Sequence, residues 1–474
     1  MLEGLEGDFS MGKSIFLVAT LCLLPATLYC GELIKQIDIR QNKLSITIND
    51  AFKKKFLLDD FFAEYDEDIN LEELPESIVT LPFILIIFST VWASGETYYI
   101  ESLDSRVYRG LEKLKKMYEL LYPKTEWKGE LIPRKLVNTP RPEKTYDPNT
   151  HVALLFSGGL DSTVTSLYHS DKKQLLITAW GQWDFPLNKP ELWNTVKKRF
   201  IEYAQEYEFE NTFIRSNYSE IFNHDVLEAL SPEIPRWRIY TIEDIGWVGL
   251  TAPILYAKGY KTLKIASSDT WDFGYPSAAG PFIDSTMKFA GLRFDHDLYD
   301  YSRLDKIEFL AKFCKKKTVT KPYLTVCQQG MVDNCANCSK CLATIMGLYA
   351  VGEDPSDYGF EAPLNSLQPA INDQLKYPVK SLTKIERYTH IQDRVKQRLK
   401  KGDRTAKAMA WILDFDLSDS FPYTFEAQFQ QPMPWTKLSE ILPRIEVPEK
   451  CKNPYRDHAM APINKKDPSE KVPA

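Results

Sequence analysis

Apolar residues follow two spacings along this chain, and the order of the spacings sketches an architecture. Leu44, Ile46 and Ile48 alternate with polar residues, the period of a half-buried strand. Ile78 to Trp92 is almost wholly apolar behind Glu76 and Ser77, which predicts a buried helix. Thr97 to Ile100 predicts a short strand, and Leu111, Leu114, Tyr118 and Leu121 form one face of a helix that Pro123 ends. From about residue 150 the pattern changes. Apolar runs at 151–156, 175–180, 212–214 and 263–266 alternate with helical spacing over 191–207 and 245–258. That alternation predicts an α/β fold, a parallel sheet doubly wound with helices on both faces. Leu382 to Lys400 predicts a further helix, and prolines recur from Pro422 onward.

Punctuation divides the pattern. Thr139-Pro140-Arg141-Pro142 and Asp147-Pro148-Asn149 read as a linker. The expected organisation is a separate N-terminal α+β module over 1–145, an α/β domain over 146–350, and a helical extension with a largely irregular tail over 351–474. A length of 474 residues exceeds a single compact core, which agrees. The net charge of −6 gives no general attraction to nucleic acid. Basic runs at Lys315–Lys317 and Lys396–Lys401 read as solvated helix ends.

The N-terminus carries two misleading patterns. Gly7 to Ser14 spells a Walker A loop, but only Met1 to Glu6 precede it, and a P-loop needs a buried strand there. Ile15 to Cys30 is apolar but short for a membrane span, is interrupted by Pro25, and lacks a clean cleavage site. It reads as one or two buried strands. A cytoplasmic protein without membrane contact is expected, with export the lesser alternative.

The chemistry concentrates at Phe156-Ser157-Gly158-Gly159-Leu160-Asp161-Ser162-Thr163, between the strand at 151–155 and helical spacing at Val164, Leu167 and Tyr168. Adjacent glycines let backbone N–H groups close on an anion, and a helix N-terminus adds partial positive charge. Ser157, Ser162 and Thr163 add hydroxyls, and Asp161 can hold a metal ion that screens phosphates. The second cluster is Cys327, Cys335, Cys338 and Cys341, within fifteen residues. Overlapping Cys-x2-Cys turns with a fourth cysteine upstream suit structural zinc in a reducing compartment. An iron–sulfur cluster, which uses similar runs, and free redox thiols stay open as alternatives.

Ser-Gly-Gly-Leu-Asp-Ser resembles the pyrophosphate loop of the N-type ATP pyrophosphatases. With the cysteine spacing it resembles the 7-cyano-7-deazaguanine synthase family of queuosine-precursor biosynthesis. Gly181-Gln182, Gly274-Tyr275-Pro276, Asp305-Lys306-Ile307-Glu308 and Leu324-Thr325-Val326-Cys327 are similar to family segments in the same order. The resemblance covers roughly 150–345 and implies an adenine nucleotide alpha hydrolase-like fold. It implies a ligase that adenylates a carboxylate with ATP and Mg2+, releases pyrophosphate, and forms an amide and then a nitrile with ammonia. It implies ATP contacts from Ser157, Gly158, Gly159, Leu160, Asp161, Ser162 and Thr163, with Asp161 on the metal. Lys306 is a candidate for phosphate charge or a surface lysine, and Gln182 a candidate adenine contact or a polar strand end. Ser277-Ala278-Ala279 stands where the family has Asp-Cys-Arg. That departure and the added modules leave open a protein or nucleic-acid acceptor, tRNA sulfur transfer, or a non-catalytic ATP-binding module.

Overall fold

The computed structural model describes residues 30–234, 236–271, 279–423, 433–448 and 451. The Walker-like residues 7–14, nearly all of the 15–30 run, Gly274-Tyr275-Pro276 with Ser277 and Ala278, and nearly all of the tail after Glu449 lie outside them. The strands are β1 (Cys30–Glu32), β2 (Ile34–Arg40), β3 (Lys43–Ile48), β4 (Phe61–Tyr65), β5 (Thr97–Asp104), β6 (Glu130–Val137), β7 (His151–Leu155), β8 (Lys173–Trp180), β9 (Glu210–Ser216), β10 (Thr262–Ala266), β11 (Lys288–Phe289) and β12 (Leu292–Asp297). The longer helices are α1 (Leu81–Ser94), α2 (Ser105–Leu121), α3 (Leu160–Tyr168), α4 (Pro190–Glu206), α5 (Glu243–Lys258), α6 (Arg303–Lys317), α7 (Ser339–Val351) and α8 (Leu382–Leu399).

Two sheets form, and the class is α/β. A small parallel sheet has the order β1-β5-β6, and a mixed nine-stranded sheet has the order β11-β12-β10-β7-β8-β9-β4-β3-β2. Its five central strands, β12, β10, β7, β8 and β9, are all parallel. Alternate residues of these strands enter different cores, as the two-residue period requires. Leu154, Phe156, Leu176 and Phe213 pack with Trp193, Val196 and Phe200 of α4. Ala153, Leu175, Ile177 and Ile214 join the larger core that holds α1 and α5. Apolar residues on both faces explain why these strands read as continuous apolar runs rather than alternating ones.

The N-terminal residues do not form a separate module, contrary to expectation. β4 pairs antiparallel with β9, with Ala63 opposite Ser216 and Tyr65 opposite Ile214, so residues 34–65 extend the central sheet. Asn217 locks the join: Phe62 N–H donates to its Oδ1 at 3.0 Å, and its Nδ2 donates to Asp60 O at 2.8 Å. The physical reason is that β9 would otherwise present an open edge, and the apolar faces of β3 and α1 would lack a partner. α1 is buried on nearly all sides and crosses α5 at Gly249, where an added Cβ would lie 2.5 Å from Leu81 O. Only glycine admits that approach.

A second core joins α3, α6, α7 and α8 to the four cysteines. The helical extension therefore builds on the helices beside the cysteines. In the C-terminal stretch the described residues 433–448 pack against the rest of the chain. Trp435, Leu438, Leu442 and Val447 enter the larger core, and the Trp435 ring lies 5.2 Å from that of Trp271. Among the described residues no helix is long and apolar enough to cross a membrane.

Candidate functional site

The carboxyl ends of the five parallel strands open into one cleft of about 840 Å³. Four of them hand a segment to it: the 157–163 loop after β7, Gln182 to Asp184 after β8, Asp269 after β10, and His296 at the end of β12. α5 supplies Glu243, Asp244 and Trp247, α6 supplies Arg303, and the cysteine segment supplies Gln328, Gln329 and Lys340.

The loop turns sharply at Gly158, which has φ +66°. A Cβ there would also sit 2.5 Å from Phe200, so the position needs glycine twice over. Thr325 N–H donates to Gly158 O at 2.7 Å, which ties the turn to the segment entering the cysteine cluster. Ser157 N–H donates to Ser162 Oγ at 3.3 Å, and that hydroxyl donates to Gly159 O at 3.3 Å. Gly159 is the N-cap of α3 and offers no side-chain acceptor, so the first N–H groups of the helix are left for a ligand.

Asp161 is the electrostatic centre. Its Oδ1 accepts from Lys306 Nζ at 3.0 Å and its Oδ2 from Arg303 at 3.1 Å. Burial raises its pKa, but Lys306, Arg303 and Arg387 outweigh burial and hold the carboxyl well below the usual range. Burial pushes the Arg303 guanidinium down to about 10, so it remains charged at neutral pH. An ionised carboxylate suits a magnesium ion, yet both oxygens already face cations. The set carries more positive than negative charge without a metal, which suits a polyanion better than a dication.

The expected residues divide into two groups. Ser157, Gly159, Leu160, Asp161, Ser162 and Gln182 line the cleft. Gly158, Thr163 and Lys306 stand behind it. Thr163 is 1% exposed because its helical position turns it beside Leu160 and Val164 into the core, so its hydroxyl offers nothing to a cleft ligand. Lys306 is neither a surface lysine nor a cleft residue. It is 1% exposed and donates to Asp161 and Ser267 O, so it acts through Asp161. Arg303, one turn earlier on the same helix, takes the cleft position. Gln182 Nε2 is buried without a hydrogen-bond partner.

Several site residues escaped sequence reasoning. Arg303 sits three residues before Lys306, and that helical spacing was its only signal. Lys340 lies between Cys338 and Cys341 and is placed by the cluster itself. Trp183 is 67% exposed at the rim, with the Arg238 guanidinium 5.9 Å from its ring centre and Arg238 paired to Glu243. Asp244, Asp269 and His296 carried no signal beyond their chemistry.

The four cysteines converge. Their Sγ atoms all lie within 4.8 Å of one another, with Cys335 and Cys341 3.9 Å apart. Tetrahedral zinc with bonds of about 2.3 Å places sulfurs about 3.8 Å apart, so the set fits the ion. Asn337 and Cys338 N–H groups donate to Cys335 Sγ at 3.4 and 3.2 Å. The hydrogen bond from Cys341 draws Cys338 down to about 4. Four protein sulfurs close the shell, so the ion would be structural.

No protein-family model, curated protein or solved structure matches this chain. Its class is therefore defined by its own fold and site. It is an α/β protein with a polar cleft at the carboxyl ends of a parallel sheet and a four-cysteine candidate metal centre beside it.

Proposed function

We propose that this chain adenylates a substrate carboxylate with ATP, lets ammonia displace AMP to give an amide, and adenylates the amide oxygen with a second ATP so that AMP leaves with it and a nitrile forms, as the resemblance to 7-cyano-7-deazaguanine synthases implies. The observation that carries the reading is the position of the 157–163 loop. It leaves β7, the strand at which the order β9-β8-β7-β10-β12 reverses direction. Such a reversal supports a doubly wound sheet, whose ligands bind at that point.

The uncapped N–H groups at Gly159 and beyond would receive a phosphate. Arg303 and Lys340 would meet charge that develops as pyrophosphate leaves, a task for fixed cations. Asp161 would hold Arg303 in place, and Lys306 would anchor Asp161 from behind. Gln182, with its free amide, would face the base. Trp183 and Arg238, which also line the cleft, suit a planar acceptor. Cys327, Cys335, Cys338 and Cys341 would hold zinc and thereby fix Lys340 and the Thr325 latch on Gly158.

The test is product analysis with ATP, Mg2+, ammonia and a panel of heteroaromatic carboxylates. Equal amounts of AMP and pyrophosphate, dependent on the carboxylate, are expected. Lys340→Ala should lower kcat/KM by about 10- to 100-fold, the cost of one lost charged contact. ADP with phosphate, or ATP bound but uncleaved with every acceptor, would refute the reading. The second outcome would favour a nucleotide-binding module.

A further inference from the structure

The β12 end of the cleft holds three side chains that the adenylation reading does not use. Asp244 comes from the first turn of α5, Asp284 from the short helix Pro281–Asp284, and His296 from β12. His296 Nδ1 lies 2.7 Å from Asp284 Oδ2 and 3.4 Å from Asp244 Oδ2. The three ligand-type atoms lie within 4.8 Å of one another.

All three side chains are buried, at 9%, 0% and 3% exposure. Asp244 Oδ2, Asp284 Oδ1 and His296 Nε2 nevertheless make no hydrogen bond. Two buried carboxylates and one imidazole balance without a metal only if one carboxyl keeps a proton, and burial beside Asp244 does raise the Asp284 carboxyl well above its ordinary range. Buried charge is costly unless paired or bound to a metal. A dication with neutral imidazole would balance the two carboxylates in full.

We infer that His296 Nδ1, Asp244 and Asp284 form a second metal site, taking a divalent first-row cation such as Mn2+, Co2+ or Zn2+. One nitrogen with two carboxylate oxygens suits these ions better than Mg2+, which prefers oxygen alone. Asp244 and His296 line the cleft, while Asp284 does not. The ion would therefore keep open positions toward the cleft, unlike the closed four-sulfur site. β12 lies two strands from β7, or roughly 10 Å. That distance separates the ion from the phosphate loop. The cation site does not depend on the adenylation reading.

The test is metal counting on the full-length chain, first loaded with a single equivalent of zinc, which the four thiolates take, then titrated with Mn2+ or Co2+. One further equivalent is expected. Cobalt there should show weak ligand-field bands without thiolate charge transfer. His296→Asn and Asp284→Asn should each weaken that equivalent at least tenfold and leave cysteine-bound zinc unchanged. Should either variant fail to fold, Asp244→Asn at the cleft wall gives the same readout. A single metal equivalent under all conditions would overturn the inference, and so would a second equivalent indifferent to these substitutions. The first result would assign the cluster to a shared proton. Metal binding and AMP release are separate readouts, so failure of one claim is distinguishable from failure of the other.

Discussion

Asp161→Asn leaves two buried cations facing a neutral amide. Lys306 is 1% exposed and the Arg303 side chain 5%, and each reaches the carboxylate at about 3 Å. A charge pair at that distance is worth roughly 5 kcal/mol at an effective dielectric of about 20, before desolvation is counted. Removing one partner of a buried pair typically costs 3–5 kcal/mol, because the other charge stays buried. We therefore expect Asp161→Asn to lower stability by about 3 kcal/mol or more. The double variant Asp161→Asn with Lys306→Met removes one stranded cation and should recover about 1–2 kcal/mol of that loss. Urea unfolding followed by tryptophan fluorescence measures both. Because the Asp161 pKa is depressed, its stabilisation is present above the ordinary carboxyl pKa and is lost only as pH falls well below it. The difference between wild type and Asp161→Asn should thus be constant from pH 5 upward. Equal urea midpoints for the two proteins would refute the buried cluster, as would a double variant less stable than Asp161→Asn.

Other perturbations have equally specific outcomes. Chelation of the cysteine-bound metal, or Cys338→Ser, should remove stabilisation on the order of 10 kcal/mol and unfold the α6–α8 core; intact circular dichroism after chelation would show that the cluster staples nothing. Gly158→Ala forces a side chain into left-handed backbone and against Phe200, so nucleotide binding should weaken at least tenfold with little change in the far sheet; unchanged binding would mean the turn is not used. Burial raises the Asp297 carboxyl, but His169 and Lys264 outweigh it and bring it from 3.8 down to about 2, which corresponds to roughly 2 kcal/mol. That contribution is present above pH 4 and lost as pH falls toward 2, so Asp297→Asn should be less stable than wild type at pH 6 and nearly equal to it near pH 2.

The parallel strands and their helices were legible because they are buried on both faces, and apolar runs separated by helical spacing have few other readings. The loop and the cysteines were legible because their chemistry is written in adjacent residues. The join between β4 and β9 was not. Phe61-Phe62-Ala63-Glu64-Tyr65 is short and lies between acidic stretches, and its partner is some 150 residues away. The proline-rich linker suggested a domain boundary, but it only carries the chain from β6 of the small sheet to β7 of the large sheet, which residues 34–65 already share. Lys306 was legible as a residue but not as a role, since no local pattern tells that its ammonium is spent on Asp161. Asp244, Asp284 and His296 come together only through three separate elements, so no spacing could announce them.

The central claim is that the 157–163 loop directs cleavage between the α and β phosphates onto a carboxylate. The most direct measurement uses an acceptor carboxylate labelled with 18O, supplied with ATP and ammonia. The account predicts one labelled oxygen in the AMP released and pyrophosphate without label. Label recovered in inorganic phosphate beside ADP, or AMP released without label, would contradict it.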